Sequence, residues 1–231
     1  MLLGLIERLG KSAGEDLAGF GRGLRSWLEV QAGHASLRRI LAEGPALALS
    51  APLTLRARLG AAVEAALPVA ELLKACERQK LLLQPMPLWR RLETEGLLTA
   101  LGAATCARPL ATVEADRGIL SEALLYQLTH EAFHLTDFGR RFGAAPPRLR
   151  EELDAGLDAA IEAAHLDLTA ELVAARRCCG VSGDAREHAG WRLLWRAGPG
   201  EEVLQAYHLQ LAIVLAALMS PTGWRRRPAR V

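Results

Sequence analysis

"RLREELDAGLDAAIEAAHLDLTAELVAARRCC", residues 148–179, decides the fold. Leu149, Leu153 and Leu157 recur at the spacing of one helical face, with Ala, Glu and Arg filling the positions between. These are strong helix formers, and no run of β-branched residues interrupts them. The pattern predicts one long helix over 148–179, ending at Gly180 as a C-cap.

The remainder of the chain reads the same way. It has 231 residues, 51% of them hydrophobic and mostly Ala and Leu, with aromatics at only 5%. That composition excludes a disordered chain and predicts an all-α protein. Apolar spacing and Gly/Pro punctuation give roughly eight or nine helical segments. They fall near 2–9, over 13–43 with a break near Gly21–Gly23 or Gly33, and over 53–80 with Pro68 as a kink. Pro85 and Pro87 mark a loop, and Pro87 could open a helix reaching 102. Further helices are expected over 117–137, 148–179, 185–196 with Asp184 as cap, and 201–219. No segment alternates strongly enough to predict a strand. The expected architecture is one all-helical domain over 1–219, built from antiparallel helix pairs as a bundle, solenoid or closed α/α toroid. A basic, Pro-interrupted tail follows over 220–231, with Trp224 and three arginines read as a solvated patch. Trp191 and Trp195, one turn apart, are read as a core stripe.

Charge excludes several partners. Lys plus Arg number 28 and Asp plus Glu 26, for a net charge of +2. Near balance gives no electrostatic reason to expect nucleic acid or a membrane surface. "MLLGLIERLGK" lacks the basic segment of a signal peptide, and "LQLAIVLAALM" at 209–219 is too short to span a bilayer. Cys76, Cys106, Cys178 and Cys179 form no C-x-x-C pair and read as reduced thiols of a cytoplasmic protein, mostly packed in the core.

One stretch carries chemistry. "YQLTHEAFHLTDFGRRFG", residues 126–143, contains H-E-x-x-H. His130 and His134 lie one turn apart on one helical face, where two imidazoles can share a Zn²⁺. Glu131 beside them could take a proton from metal-bound water. A catalytic zinc needs a third ligand. Asp137 is about 10 Å further along an unbroken helix, so it serves better as an orienting partner of His134 or a mate of Arg140 or Arg141. In an antiparallel hairpin with the next helix, His134 would face Glu152 and His130 would face Gly156, bringing Glu151, Glu152, Asp154 and Asp158 within reach. That arrangement partly resembles the gluzincins, although "EELD" departs from their usual acidic motif. Glu162 and His165 make a second E-x-x-H, as di-iron bundles use, but out of step with Glu131. The bland alternatives stay open: acids at a helix start favour the dipole, and half-buried histidines need no metal.

The string "LTHEAFHLTDFG" resembles the T-H-x-x-F-x-x-T-D-F-G segment of an uncharacterised bacterial family of all-helical proteins. "LDLTAELVAARRCCG" at 166–180 and "AYHLQLAIVLAAL" at 206–218 look like two further segments of it. The resemblance covers the C-terminal half and implies His130, Asp137, Asp167, Glu171 and His208 as the positions carried over. It implies no activity. Members often carry Tyr where this chain has His134, which counts against zinc as a feature of the family.

Asp167 and Glu171 lie one turn apart on an Ala/Leu-rich helix, and His208 sits in the most apolar one. Such groups must be paired, because leaving them bare costs a few kcal/mol. The leading expectation is a metal-dependent hydrolase or tailoring enzyme acting on a peptide or small metabolite. His130 and His134 would hold zinc, His208 or an acid among Glu152 and Asp154 would complete the shell, and Glu131 would be the base, with Asp137 and Asp167 in support. The alternatives are a helical binding or scaffold protein with a buried His/Asp network, and metal-free acid–base catalysis by the same polar set.

Overall fold

A computed structural model describes residues 15–103, 112–113, 120–197, 212–213 and 216. The protein is all-α, as expected. Nine α-helices lie among the described residues: α1 (Glu15–Ala32), α2 (Ala35–Glu43), α3 (Ser50–Leu59), α4 (Val69–Arg78), α5 (Leu88–Ala100), α6 (Glu122–Leu135), α7 (Pro147–Glu162), α8 (Leu166–Cys178) and α9 (Ala185–Ala197). Two two-residue strands, β1 (Met86–Pro87) and β2 (Thr112–Val113), pair in parallel; no strand was expected. The helix foreseen near 2–9, most of the last helix and the C-terminal tail lie outside the described residues. No described helix is long and apolar enough to cross a membrane. The chain divides into two compact units, Met1–Glu114 and Ala115–Val231.

The first unit holds α1 to α5. The break expected within 13–43 falls at Gly33, where His34 takes the N-cap of α2 and its Nδ1 accepts from Ser36 N at 3.2 Å. The segment over 53–80 divides as Pro68 requires: α3, a 3₁₀ turn over Gly60–Val63, then α4 with Pro68 at its N-cap. Pro87 is the N-cap of α5 rather than its first residue. Leu49, Leu53, Leu59, Val63, Leu67, Leu72, Cys76, Met86 and Leu98 form this unit's core.

The second unit departs from expectation at its centre. The single helix expected over 148–179 is two helices, α7 and α8, folded back on each other. Ala164 takes a left-handed φ of 52°, and His165 N donates to Ala160 O at 2.9 Å, closing a Schellman turn. His165 then serves as the N-cap of α8, its Nδ1 accepting from Leu168 N at 3.3 Å. No glycine or proline announces this break. The gain is burial: α8 is buried from Leu168 through Arg176, which a continuous helix could not achieve.

α8 packs against α6, α7 and α9. Asp154 meets Arg176, so α7 and α8 run antiparallel. Contacts of Tyr126 with Asp167 and of Thr129 with Glu171 show that α6 and α8 run parallel. Gly156 leaves room for side chains of α6 and α8: a Cβ there would stand 2.6 Å from Leu125 Cδ2 and 3.3 Å from Leu172 Cδ2. Cys76, Cys178 and Cys179 are buried, and burial pushes Cys179 up to about 11; Cys106 lies outside the described residues. Trp191 stacks on Trp195, but Trp195 is largely exposed, so this pair is not a core stripe.

Candidate functional site

Tyr126, Thr129 and His130 stand at i, i+3 and i+4 on α6, one stripe on one face. Asp167 and Glu171, at i and i+4, make a matching stripe on α8. Because α6 and α8 run parallel, the two stripes meet in register. The Tyr126 hydroxyl donates to Asp167 Oδ2. One turn further on, Thr129 Oγ1 donates to Glu171 Oε2 at 2.7 Å. His130 Nδ1 lies 2.7 Å from Tyr126 O, 3.4 Å from Thr129 Oγ1 and 4.0 Å from Glu171 Oε2.

Those distances assign the imidazole proton. A carbonyl oxygen only accepts, so Nδ1 carries hydrogen, and the neutral ring's lone pair lies on Nε2. The His130 side chain is 35% exposed, whereas Glu171 is 7% exposed. The seam thus grades from a buried carboxylate through a hydroxyl to a half-exposed imidazole. Burial, then the hydrogen bond to Asp167 and the charges of Asp167 and Glu171, push the Tyr126 phenol above its ordinary range. It remains a neutral donor.

α6 ends at Leu135, not near 137 as expected. Asp137, Phe138 and Gly139 all take positive φ, at 46°, 51° and 80°. Two of these are not glycine, so each costs on the order of 1 kcal/mol or more. Thr136 Oγ1 holds the turn, donating to Ala132 O at 2.6 Å and accepting from Gly139 N at 3.1 Å. The reversal lays Phe138 on Phe133, ring centroids 5.7 Å apart, and edge-on to His134 at 5.6 Å. Asp137 meets Arg140 at 3.3 Å, the mate foreseen for it.

Glu131 is buried, on a different side of α6 from half-buried His130 and His134. The hairpin register is shifted: Leu125, not His130, approaches Gly156. Acids of α7 meet arginines. Glu152 pairs with Arg148 at 3.0 Å, Asp154 with Arg176 at 2.7 Å, and Asp158 with Arg186 at 2.8 Å. Glu162 and His165 stand on opposite sides of the α7–α8 turn, not on one helix. His208 lies outside the described residues. Among the described residues, no three His, Cys, Asp or Glu side chains form a group that could hold a metal ion.

A family model described as a domain of unknown function (DUF6895) matches residues 1–210. The chain belongs to this family. The match to DUF6895 spans α1 to α9 and so takes in both polar stripes. No curated protein and no solved structure matches the chain. DUF6895 assigns no chemistry, so the site rests on its own residues. Tyr126 and Thr129 are the members that sequence reasoning missed. Their signal was present: both lie on His130's face, within one turn of it.

Proposed function

We propose that this protein is an acid–base enzyme acting on a peptide or small-molecule substrate through the α6–α8 seam, without a metal. His130 is the proton carrier. Glu171 steadies the imidazolium that forms when Nε2 takes a proton, and Thr129 orients Glu171. Asp167 fixes the Tyr126 hydroxyl, whose backbone carbonyl in turn fixes the His130 ring. The observation that carries this reading is the 2.7 Å contact of His130 Nδ1 with Tyr126 O, with Glu171 Oε2 behind it at 4.0 Å. A base oriented by a second group that is itself held by a third is the arrangement such catalysis needs.

A second reading starts from the same ring. Metal-binding histidines are also held through the nitrogen that does not bind the metal, often by a backbone carbonyl. His130 and His134 would then take zinc, Glu131 would be the base, and His208 the outstanding ligand.

Turnover of ester, peptide and small-metabolite panels, before and after chelation, separates the two. The expected result is turnover that survives chelation and falls about 100-fold or more in His130→Ala. Turnover lost on chelation and restored by zinc contradicts the proposal. No turnover on any panel, with a ligand retained by the parent and lost in His130→Ala, favours the binding-protein alternative.

A further inference from the structure

α8 begins at a histidine where Ser, Thr, Asp or Asn would be usual. His165 Nδ1 accepts from the Leu168 amide at 3.3 Å, which requires a lone pair on Nδ1 and therefore the neutral ring's proton on Nε2. Nε2 lies 3.6 Å from Glu122 Oε1 on α6. The same residue ends the turn from α7, through His165 N to Ala160 O at 2.9 Å. Two residues on, Asp167 receives the Tyr126 hydroxyl. One imidazole therefore joins the end of α7, the start of α8 and the first link of the seam.

We infer that His165 is a pH-sensitive latch, which in its neutral form caps α8 and holds Asp167 against Tyr126, and which releases that cap when Nδ1 takes a second proton. An imidazolium has no acceptor to offer the Leu168 amide. Its charge also opposes the positive end of the α8 dipole. Glu122 from α6 is the charged group facing the ring, and Glu162 at the end of α7 and Asp167 on α8 are the charged residues nearest to it in the chain. Glu122 gives the protonated ring a carboxylate to turn to while the amide loses its acceptor. The inference rests on cap geometry, not on the chemistry proposed for His130, so the two fail separately.

Hydrogen exchange of the Leu168 amide, with the ring state of His165 followed by NMR, tests it on the full chain. The expected result is a protection factor that falls about five-fold between pH 8 and pH 5 as the ring protonates, the size of a lost cap. His165→Asn, whose acceptor does not titrate there, keeps protection at both pH values. His165→Ala loses it at both. Constant protection in the parent, a ring that stays neutral to pH 5, or an unchanged pH dependence in His165→Asn would each overturn the inference.

Discussion

The two ends of α8 solve the problem of buried polarity in opposite ways. At its C-terminal end, guanidinium meets carboxylate. Arg176, 1% exposed, is held by Asp154 at 2.7 Å and by both oxygens of Asp184 at 3.2 and 2.5 Å. Arg177 meets Glu187, lies over Trp191 and donates to Ala216 O at 2.5 Å. Glu187 also accepts from Gly183 N at 2.8 Å and Trp191 Nε1 at 3.3 Å. Opposite charges in forked geometry are locked across the pH range where proteins work. At the N-terminal end, the carboxylates of Asp167 and Glu171 meet hydroxyls and an imidazole, groups that can exchange protons. One end of the helix is built to hold still, and the other is built to respond.

The sharpest way to break this contrast is Arg176→Met. It removes the buried guanidinium that Asp154 and Asp184 share at the locked end, and the expected loss is about 3 kcal/mol by chemical denaturation. Glu171→Gln at the responsive end keeps a hydrogen-bond acceptor for Thr129, so it should cost less than about 1 kcal/mol while turnover falls at least ten-fold. Equal stability losses from the two variants would erase the distinction.

pH sharpens it. Hydrogen bonds from Arg176 hold Asp184 at about 2, below its ordinary 3.8. The folded state therefore binds this proton less readily than the unfolded chain. Its contribution is complete above pH ~4 and is lost as pH falls through about 2. Tyr126 shifts the other way: its contribution is present below pH ~10 and is lost as pH rises beyond it. Stability measured from pH 2 to 11 should fall at both extremes, and Tyr126→Phe should lessen only the alkaline fall. Thr129→Val should cost about 1 kcal/mol, with the His130 ring less firmly placed.

Helix content was legible because Ala/Leu periodicity is local. Pro68 and Asp184 acted where their chemistry puts them. The α7–α8 break was not legible: Ala163 and Ala164 are helix formers, and only the burial of α8 against its neighbours turns the chain there. That error carried the register error with it, since a 148–179 helix leaves no parallel partner for α6. The T-D-F-G turn hid for a related reason. Asp137 and Phe138 adopt left-handed φ that their types rarely take. The H-E-x-x-H spacing marked the correct helix but drew attention along α6 instead of across to α8. Asp167 and Glu171 were visible as an awkward polar pair in an apolar helix, yet their partners depended on a fold-back no spacing rule could give. Arg176 and Arg177 lie in the last turn of α8, and their ion pairs with Asp154, Asp184 and Glu187 depend on the same fold-back.

The most direct test of the central claim is the tautomer of His130, read by long-range proton–nitrogen correlation on metal-free protein labelled with ¹⁵N-histidine, before and after one equivalent of zinc. The expected result is hydrogen on Nδ1, a lone pair on Nε2, and no change on adding zinc. Hydrogen on Nε2, or a ring nitrogen that shifts stoichiometrically with zinc, would contradict it.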